Sequence, residues 1–409
     1  MVMKKFYSFI LILLAVLPVS AKSWTAEQVK GLIFCVNTYW QKNNKAEVNA
    51  FWDNAVYHTG NMEVYKLFQD AKQLNYSSRW AYANNWSGAT EADPRRWKYK
   101  TGSRNKEFVL FGDWQVCFQT YIDLYNFAIA NGESDEDLYF MVKRAKEVMR
   151  YQAYSKPTDY WWWDDALYMV MPVLTKMYKL TGDVQYLDKL YDNLQYTDSV
   201  MLDAETGLYF RDARYVYPKH KTERGLKDFW ARGDGWVLAG LAKVLQDMPK
   251  DYKHHQFFVD KFVRMAKVLA KNQQKEGYWT RSILDPEQAP GPETSGTAFF
   301  TYGMIWGVNN GYLSHKDFKK PIERAWTYLS ETAIQADGKV GYVQPIGDRA
   351  IPGQTVDAES QANFGVGATL LAACEYYRYS FAAPAKVVLR VNQGVGEPLP
   401  LASAHQRNP

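Results

Sequence analysis

From residue 24 onward, apolar positions recur at spacings of three and four along most of the chain, the period of helices with one buried face. The strict alternation of a half-buried strand is scarce. The pattern predicts helices over 25–43, 62–74, 113–131, 135–152, 166–181, 184–201, 236–248, 253–274, 295–311, 316–334 and 360–380, separated by loops rich in Gly, Pro, Asp and Asn. Several pair as hairpins: 113–131 with 135–152, 166–181 with 184–201, 236–248 with 253–274, and 295–311 with 316–334. Turns inside the pairs are short, as in Asn131-Gly132-Glu133-Ser134 and Thr181-Gly182-Asp183, whereas the segments between pairs are long. A closed ring of hairpins produces this asymmetry, with function gathered in the long loops at one end. The expected fold is all-α, a six-hairpin (α/α)6 barrel or toroid, with one helix of the ring not placed. An open solenoid is the rival, but the hairpins share no residue pattern at a fixed period.

The two ends of the chain depart from this pattern. Met1-Val2-Met3-Lys4-Lys5, an apolar run from Phe6 to Val16 and the small residues up to Ala21 read as an export signal over 1–21. The run is too short for a membrane span, so the mature protein is expected in the periplasm or outside the cell, with no span after signal removal. Residues 22–381 are then the barrel domain. Residues 382–409, with a strand-like run at 386–391 followed by Gly, Pro and polar residues, are expected to be a partly disordered tail.

Charge and thiols narrow the partners. The formal charge of +5 falls to +3 once Lys4 and Lys5 are removed with the signal, and both signs are interspersed, which argues against nucleic acid. A monomer or weak homodimer is expected. Cys35, Cys117 and Cys374 are scattered through apolar helical stretches and read as free buried thiols rather than a disulfide. His254 and His255 are adjacent but no metal-ligand spacing is present, so no metal and no cofactor is expected.

Aromatic residues make up 16% of the chain, including 15 Trp, a surplus that either lines a carbohydrate groove or fills a large helical core. Two runs set carboxylates among rings where a helix should begin: Tyr160-Trp161-Trp162-Trp163-Asp164-Asp165-Ala166-Leu167-Tyr168-Met169 and Trp230-Ala231-Arg232-Gly233-Asp234-Gly235-Trp236. An indole face suits a pyranose, a carboxyl beside apolar surface is pushed toward acid-catalyst range, and an arginine fork matches a ligand carboxylate. Together they point to an enzyme acting on an acidic sugar. One of Asp164 and Asp165 can serve as a helix cap, but a cap needs one carboxylate, and Trp163 with its neighbours adds a desolvating wall. Arg232 is expected to fork onto a uronate and Trp236 to stack on or wall the sugar, with the glycines allowing positive φ and close backbone approach. A helix start capped by Asp234 competes with that reading. Asp113, between Gly112 and Trp114, repeats the acid-plus-aromatic pattern and reads as an N-cap or a site carboxylate. Arg211 and Asp212 either face the same end or form a surface ion pair. In Glu293-Thr294-Ser295-Gly296-Thr297, Thr294 or Ser295 is the expected cap.

Over roughly residues 25–380 the chain resembles the unsaturated glucuronyl and rhamnogalacturonyl hydrolases of glycoside hydrolase families 88 and 105. The motifs that carry the likeness are Trp-x-Asp-x-Leu-Tyr-Met, here Trp163 to Met169, and Arg-Gly-Asn-Gly-Trp, here Arg232 to Trp236. The resemblance implies a six-hairpin α/α barrel, a general acid/base at Asp165, a second aspartate at Asp113, and binding roles for Arg232 and Trp236. Asp164 then becomes a neighbour of Asp165 or a cap. Asp234 stands where the pattern has Asn, and the histidines that help bind substrate in relatives are missing from Leu208-Tyr209-Phe210-Arg211 and from the segment before Asp165. Arg211 is expected to take over part of that recognition.

The implied partner is an unsaturated uronyl oligosaccharide made by a polysaccharide lyase. Asp165 would protonate C4 of its enol ether and water would add at C5. A conventional inverting glycosidase using Asp113 and Asp165 across a saturated bond is the alternative, and a glycan-binding protein is a more distant one.

Overall fold

The computed structural model describes residues 23–381, so the export-signal reading of 1–21 and the strand-like run at 386–391 lie outside the described residues. Twelve helices are present among them: α1 (Ala26–Asn43), α2 (Trp52–Phe68), α3 (Ala71–Ala83), α4 (Cys117–Ala130), α5 (Asp135–Tyr154), α6 (Asp165–Thr181), α7 (Gln185–Met201), α8 (Ala231–Asp247), α9 (His255–Lys271), α10 (Thr294–Asn309), α11 (His315–Tyr328) and α12 (Asn363–Phe381). β-pairing among the described residues is limited to isolated bridges such as Trp163 with Asp212 and Trp230 with Ser282.

Most boundaries follow local chemistry. Thr25 and Gln28 form a reciprocal capping box at the start of α1, and Gly182 ends α6 in the left-handed conformation, φ 74°. The single helix expected over 62–74 is two helices. Gln69 turns left-handed at φ 55°, donating its N–H to the Tyr65 carbonyl, and the Asp70 side chain caps α3 through the Lys72 N–H at 2.8 Å. Neither residue is a glycine or proline, and Ala55 to Tyr65 are buried on every face, so the periodicity carried no break there. The extra helix is the member of the ring that the pattern left unplaced.

The hairpins are α2–α3, α4–α5, α6–α7, α8–α9 and α10–α11, and α12 packs on α1 to close the ring. The first helix of each pair, with α12, forms the inner layer. Close approach there requires missing side chains: a Cβ on Gly60 of α2 would lie 2.3 Å from the Gly367 carbonyl oxygen of α12. The long segments 84–116, 202–230, 272–293 and 334–362 lead into the inner-helix N-termini at one end, and the short turns lie at the other. Most tryptophans are buried and serve packing, the plainer of the two explanations for their number. Trp236, at the centre of the inner layer, meets Tyr168, Phe299 and Trp52 at ring-centroid distances of 5.1, 4.5 and 6.1 Å. Cys35, Cys117 and Cys374 are all free thiols.

At the short-turn end the inner helices are stitched by a polar belt. Asp247 of α8 lies 3.8 Å from Lys176 of α6, Lys176 is 2.5 Å from Asp123 of α4, and Asp123 is 3.0 Å from Lys66 of α2. Glu63 of α2 meets Arg378 of α12 at 3.0 Å, and Glu375 accepts from the Asn309 amide of α10 at 2.8 Å. Burial opposes the charge on Glu63, but Lys66 and Arg378 hold it below the usual carboxylate range. Removing one partner of such a pair strands the other, at about 3–5 kcal/mol. Asp123→Ala is therefore expected to lower unfolding stability by about 3 kcal/mol or more in urea melts; a loss under about 1 kcal/mol would show that water already screens the belt.

Candidate active site

Asp164 and Asp165 stand at the first turn of α6, and neither carboxyl caps the helix. The preceding strand-like residues are fixed from the facing loop: Trp163 bridges Asp212, and the Asp164 N–H donates to the Arg211 carbonyl at 2.9 Å. This lays 202–230 across the start of α6 and brings the Arg211 Nε to 3.3 Å from the Asp165 carboxyl. Arg211 also donates through one Nη to Asp212 at 2.7 Å, and Arg214 forks onto both Asp212 oxygens at 3.0 and 2.8 Å. Burial alone would weaken the Arg211 cation, but the Asp165 and Asp164 carboxyls raise its proton affinity further.

Asp113 does not cap a helix either. It sits in a 3-10 turn, Gly112–Trp114, and α4 starts only at Cys117, later than the periodicity suggested. Its carboxyl is half-buried, and burial together with the charge of Asp165 pushes it well above the usual carboxylate range. Asp164 is fully buried and is pushed up for the same two reasons. Asp113 and Asp164 thus flank Asp165, which lies 3.3 Å from Arg211 and keeps 8% of its surface exposed.

The second motif is not a glycine turn. Trp230 is the N-cap residue and Ala231 opens α8, so Arg232, Gly233, Asp234 and Gly235 lie inside its first turns. Neither glycine takes positive φ; both serve close approach. A Cβ on Gly233 would fall 2.2 Å from an Asp164 carboxyl oxygen, and one on Gly235 would press on Phe299 at 3.2 Å. Arg232, 1% exposed, donates to the Gln344 and Pro345 carbonyls at 2.7 and 2.8 Å and lies over the rings of Trp230 and Phe364. Asp234 accepts the Tyr209 N–H at 2.8 Å, and burial raises its carboxyl well above the usual range.

The expected substrate contacts are accordingly recast. Trp163, Asp164, Asp234 and Trp236 expose 2% or less of their surface, and the Arg232 fork is engaged by backbone carbonyls. These residues build the wall behind the mouth. Trp52, Trp114 and Trp162 are half-buried rings at or just before the starts of inner-layer helices. Of the residues singled out in the sequence, Asp113, Asp165 and Arg211 keep some exposed surface.

Two participants lacked a sequence signal. Glu293, rather than Thr294 or Ser295, caps α10, accepting from the N–H groups of Ser295 and Gly296 at 3.1 and 2.6 Å and from Gln344 N–H at 3.0 Å. Glutamate is an uncommon cap, so the motif pointed to its neighbours. Gln344 joins the loops by accepting the Trp230 indole N–H at 2.8 Å, a contact between residues far apart in the chain.

The family model for Glycosyl Hydrolase Family 88 matches residues 25–380, and the chain belongs to that family. It is 34% identical over 333 residues to the unsaturated 3S-rhamnoglycuronyl hydrolase of Formosa agariphila, covering 79% of this chain and 83% of that protein. Among solved structures, a glycosyl hydrolase family 88 protein from Bacteroides vulgatus is 54% identical with a TM-score of 0.83, covering 87% of this chain and 100% of that one. Another, described as a polysaccharide lyase, is 56% identical with a TM-score of 0.82, covering 87% of this chain and 98% of that one.

Asp234 yields a prediction with a defined sign. Its folded-state proton affinity is raised, so its contribution to stability is fully present below the ordinary aspartate range and is lost as pH rises toward the folded value. Asp234→Asn keeps an acceptor for Tyr209 N–H and removes the titration. The variant should melt at least about 2 °C higher than wild type at pH 8, with the gap closing near pH 4; equal melting at both pH values would contradict the assignment.

Proposed function

We propose that this protein hydrolyses the bond linking a 4,5-unsaturated uronic acid to the rest of a lyase-generated oligosaccharide, acting at the non-reducing end. The observation that carries the reading is Asp165, held at the mouth of the ring against Arg211 and in the field of Asp113. Membership of family 88 and the name of the Formosa relative support it.

In this reading Asp165 gives its proton to C4 of the enol ether, and the cation at C5 is shared with the ring oxygen. Water adds at C5 and returns a proton to Asp165. The hemiketal at C5 opens to a ketone, the ring oxygen becomes the hydroxyl of a C1 hemiacetal, and collapse of that hemiacetal releases the neighbouring sugar as an alcohol. Arg211, 3.3 Å from Asp165, faces the carboxylate that proton donation leaves behind. Asp113, whose proton affinity is raised by burial and by Asp165, can hydrogen-bond toward the attacking water. The export reading of residues 1–21 fits such a role, because lyase products arise where the polysaccharide is.

The lyase description of one relative supplies a second reading with the opposite optical sign. A lyase creates the conjugated double bond and its ultraviolet absorbance, whereas the proposed reaction destroys them. With a panel of unsaturated disaccharides, headed by a rhamnose-linked member, wild type should abolish the absorbance. Asp165→Asn should lose about 10²–10⁴ of that rate. Absorbance appearing on intact polysaccharide, with none lost on the panel, would support the lyase instead.

A further inference from the structure

A cavity of about 110 Å³ lies by the C-terminus of α1 and the N-termini of α2 and α12, and none of Asp113, Asp165 and Arg211 borders it. Along α2 the helical repeat puts Asn54, Tyr57, His58 and Asn61 on the face opposite Trp52, the residue that meets Trp236 inside the ring. The cavity therefore sits behind the inner layer, between α2 and the outer helices α1 and α3. At about 10–15 Å³ for each enclosed water, it holds several waters or one small ring. His58, 2% exposed, borders it and lies flat on Trp80 at 4.0 Å. Its Nδ1 is 3.0 Å from the Ser77 hydroxyl, which accepts the Asn61 amide at 2.7 Å. That hydroxyl has no other acceptor among the described residues, so it donates to Nδ1, and the hydrogen of the neutral imidazole sits on Nε2. Burial lowers the ring's proton affinity, and Nε2–H has no partner among the described residues.

We propose that this cavity is a second saccharide-binding site, separate from the mouth and built for one acidic sugar unit. Trp40, Tyr57 and Tyr76 line it with aromatic surface for the C–H face of a pyranose. The polar groups are mixed in kind. His58 offers a donor, and the Asn363 amide spends one N–H on Asn54 at 2.9 Å and keeps the other. Asn44 donates to the Trp40 carbonyl at 2.9 Å, and its side-chain oxygen accepts nothing among the described residues. Hydroxyls that both donate and accept match such a set, whereas a hydrocarbon would strand the buried donor and a bare anion would leave the rings unused. Lys45, exposed at the rim, forms no ion pair among the described residues and suits a sugar carboxylate. The protein thereby holds an acidic glycan without engaging the residues that cleave it.

The test reads binding and not turnover, so failure of the uronyl hydrolase reading leaves it intact. Full-length protein carrying 15N-labelled histidine is titrated with D-glucuronate, D-glucose and sodium acetate in separate NMR experiments. The His58 signal is assigned by its loss in His58→Gln or, if that variant does not fold, by removing the other five histidines in turn. D-glucuronate should move the His58 Nε2 signal saturably, with half-saturation on the order of millimolar, as befits so small a ligand. D-glucose should bind more weakly, and acetate should leave the signal in place. Lys45→Gln should raise the glucuronate half-saturation about threefold, the effect of one exposed charge pair, while Arg211→Ala should leave it unchanged. An unmoved His58 signal would overturn the proposal and leave a water-filled space. An equal response to acetate would reduce the cavity to an anion site, and a response lost in Arg211→Ala would place the ligand in the mouth; either contradicts it. Equal binding of D-glucose, with no effect of Lys45→Gln, would overturn the assignment of an acidic sugar.

Discussion

A helix enclosed on all sides must pair or neutralise every charge it carries, and the six inner helices meet this constraint differently at their two ends. At the short-turn end, Glu63, Lys66, Asp123, Lys176, Asp247, Glu375 and Arg378 form a belt of ion pairs within and between neighbouring helices. At the long-loop end, carboxyls outnumber cations. Burial raises the proton affinity of Asp113, Asp164 and Asp234 well above the usual carboxylate range, and Asp165 shares Arg211 with Asp212. The end that is electrostatically satisfied holds the ring together, and the end that is not can exchange protons with a substrate.

The loops convert that excess into a defined geometry. Segment 202–230 supplies Arg211 and fixes the entry to α6 through backbone contacts, and segment 334–362 is held from below by Arg232 and from the side by Trp230 through Gln344. Arg232 and Trp230 thus act on the 334–362 loop, while Trp236 packs among the inner helices. The buried hydrogen bonds of Arg232 and Trp230 fix the loop to the helix layer beside Asp165, and positioned proton transfer needs a fixed surround.

Much of this was legible in the chain because helical periodicity, short turns and long loops each follow from local chemistry. The hairpins from α4 to α11 and the aspartates before Leu167-Tyr168-Met169 came from such signals. The break at Gln69-Asp70 was hidden because a helix buried all round has no polar face to end. Side-chain direction was hidden as well: Arg232 and Trp236 look like ligands in sequence, but Arg232 is engaged by carbonyls of the 334–362 loop and Trp236 by rings of α6 and α10. Glu293 and Gln344 are long-range partners, and no local pattern encodes such contacts.

The central claim is that Asp165 attacks the double bond and not the glycosidic bond. It is tested most directly by running the reaction in D2O and reading the released uronate by mass spectrometry and NMR at early times. Delivery of a solvent-derived proton to C4 predicts one deuteron on that carbon in the product. Release of a uronate that still carries its C4=C5 double bond, with no deuteron at C4, would contradict the account and identify a conventional hydrolysis at C1.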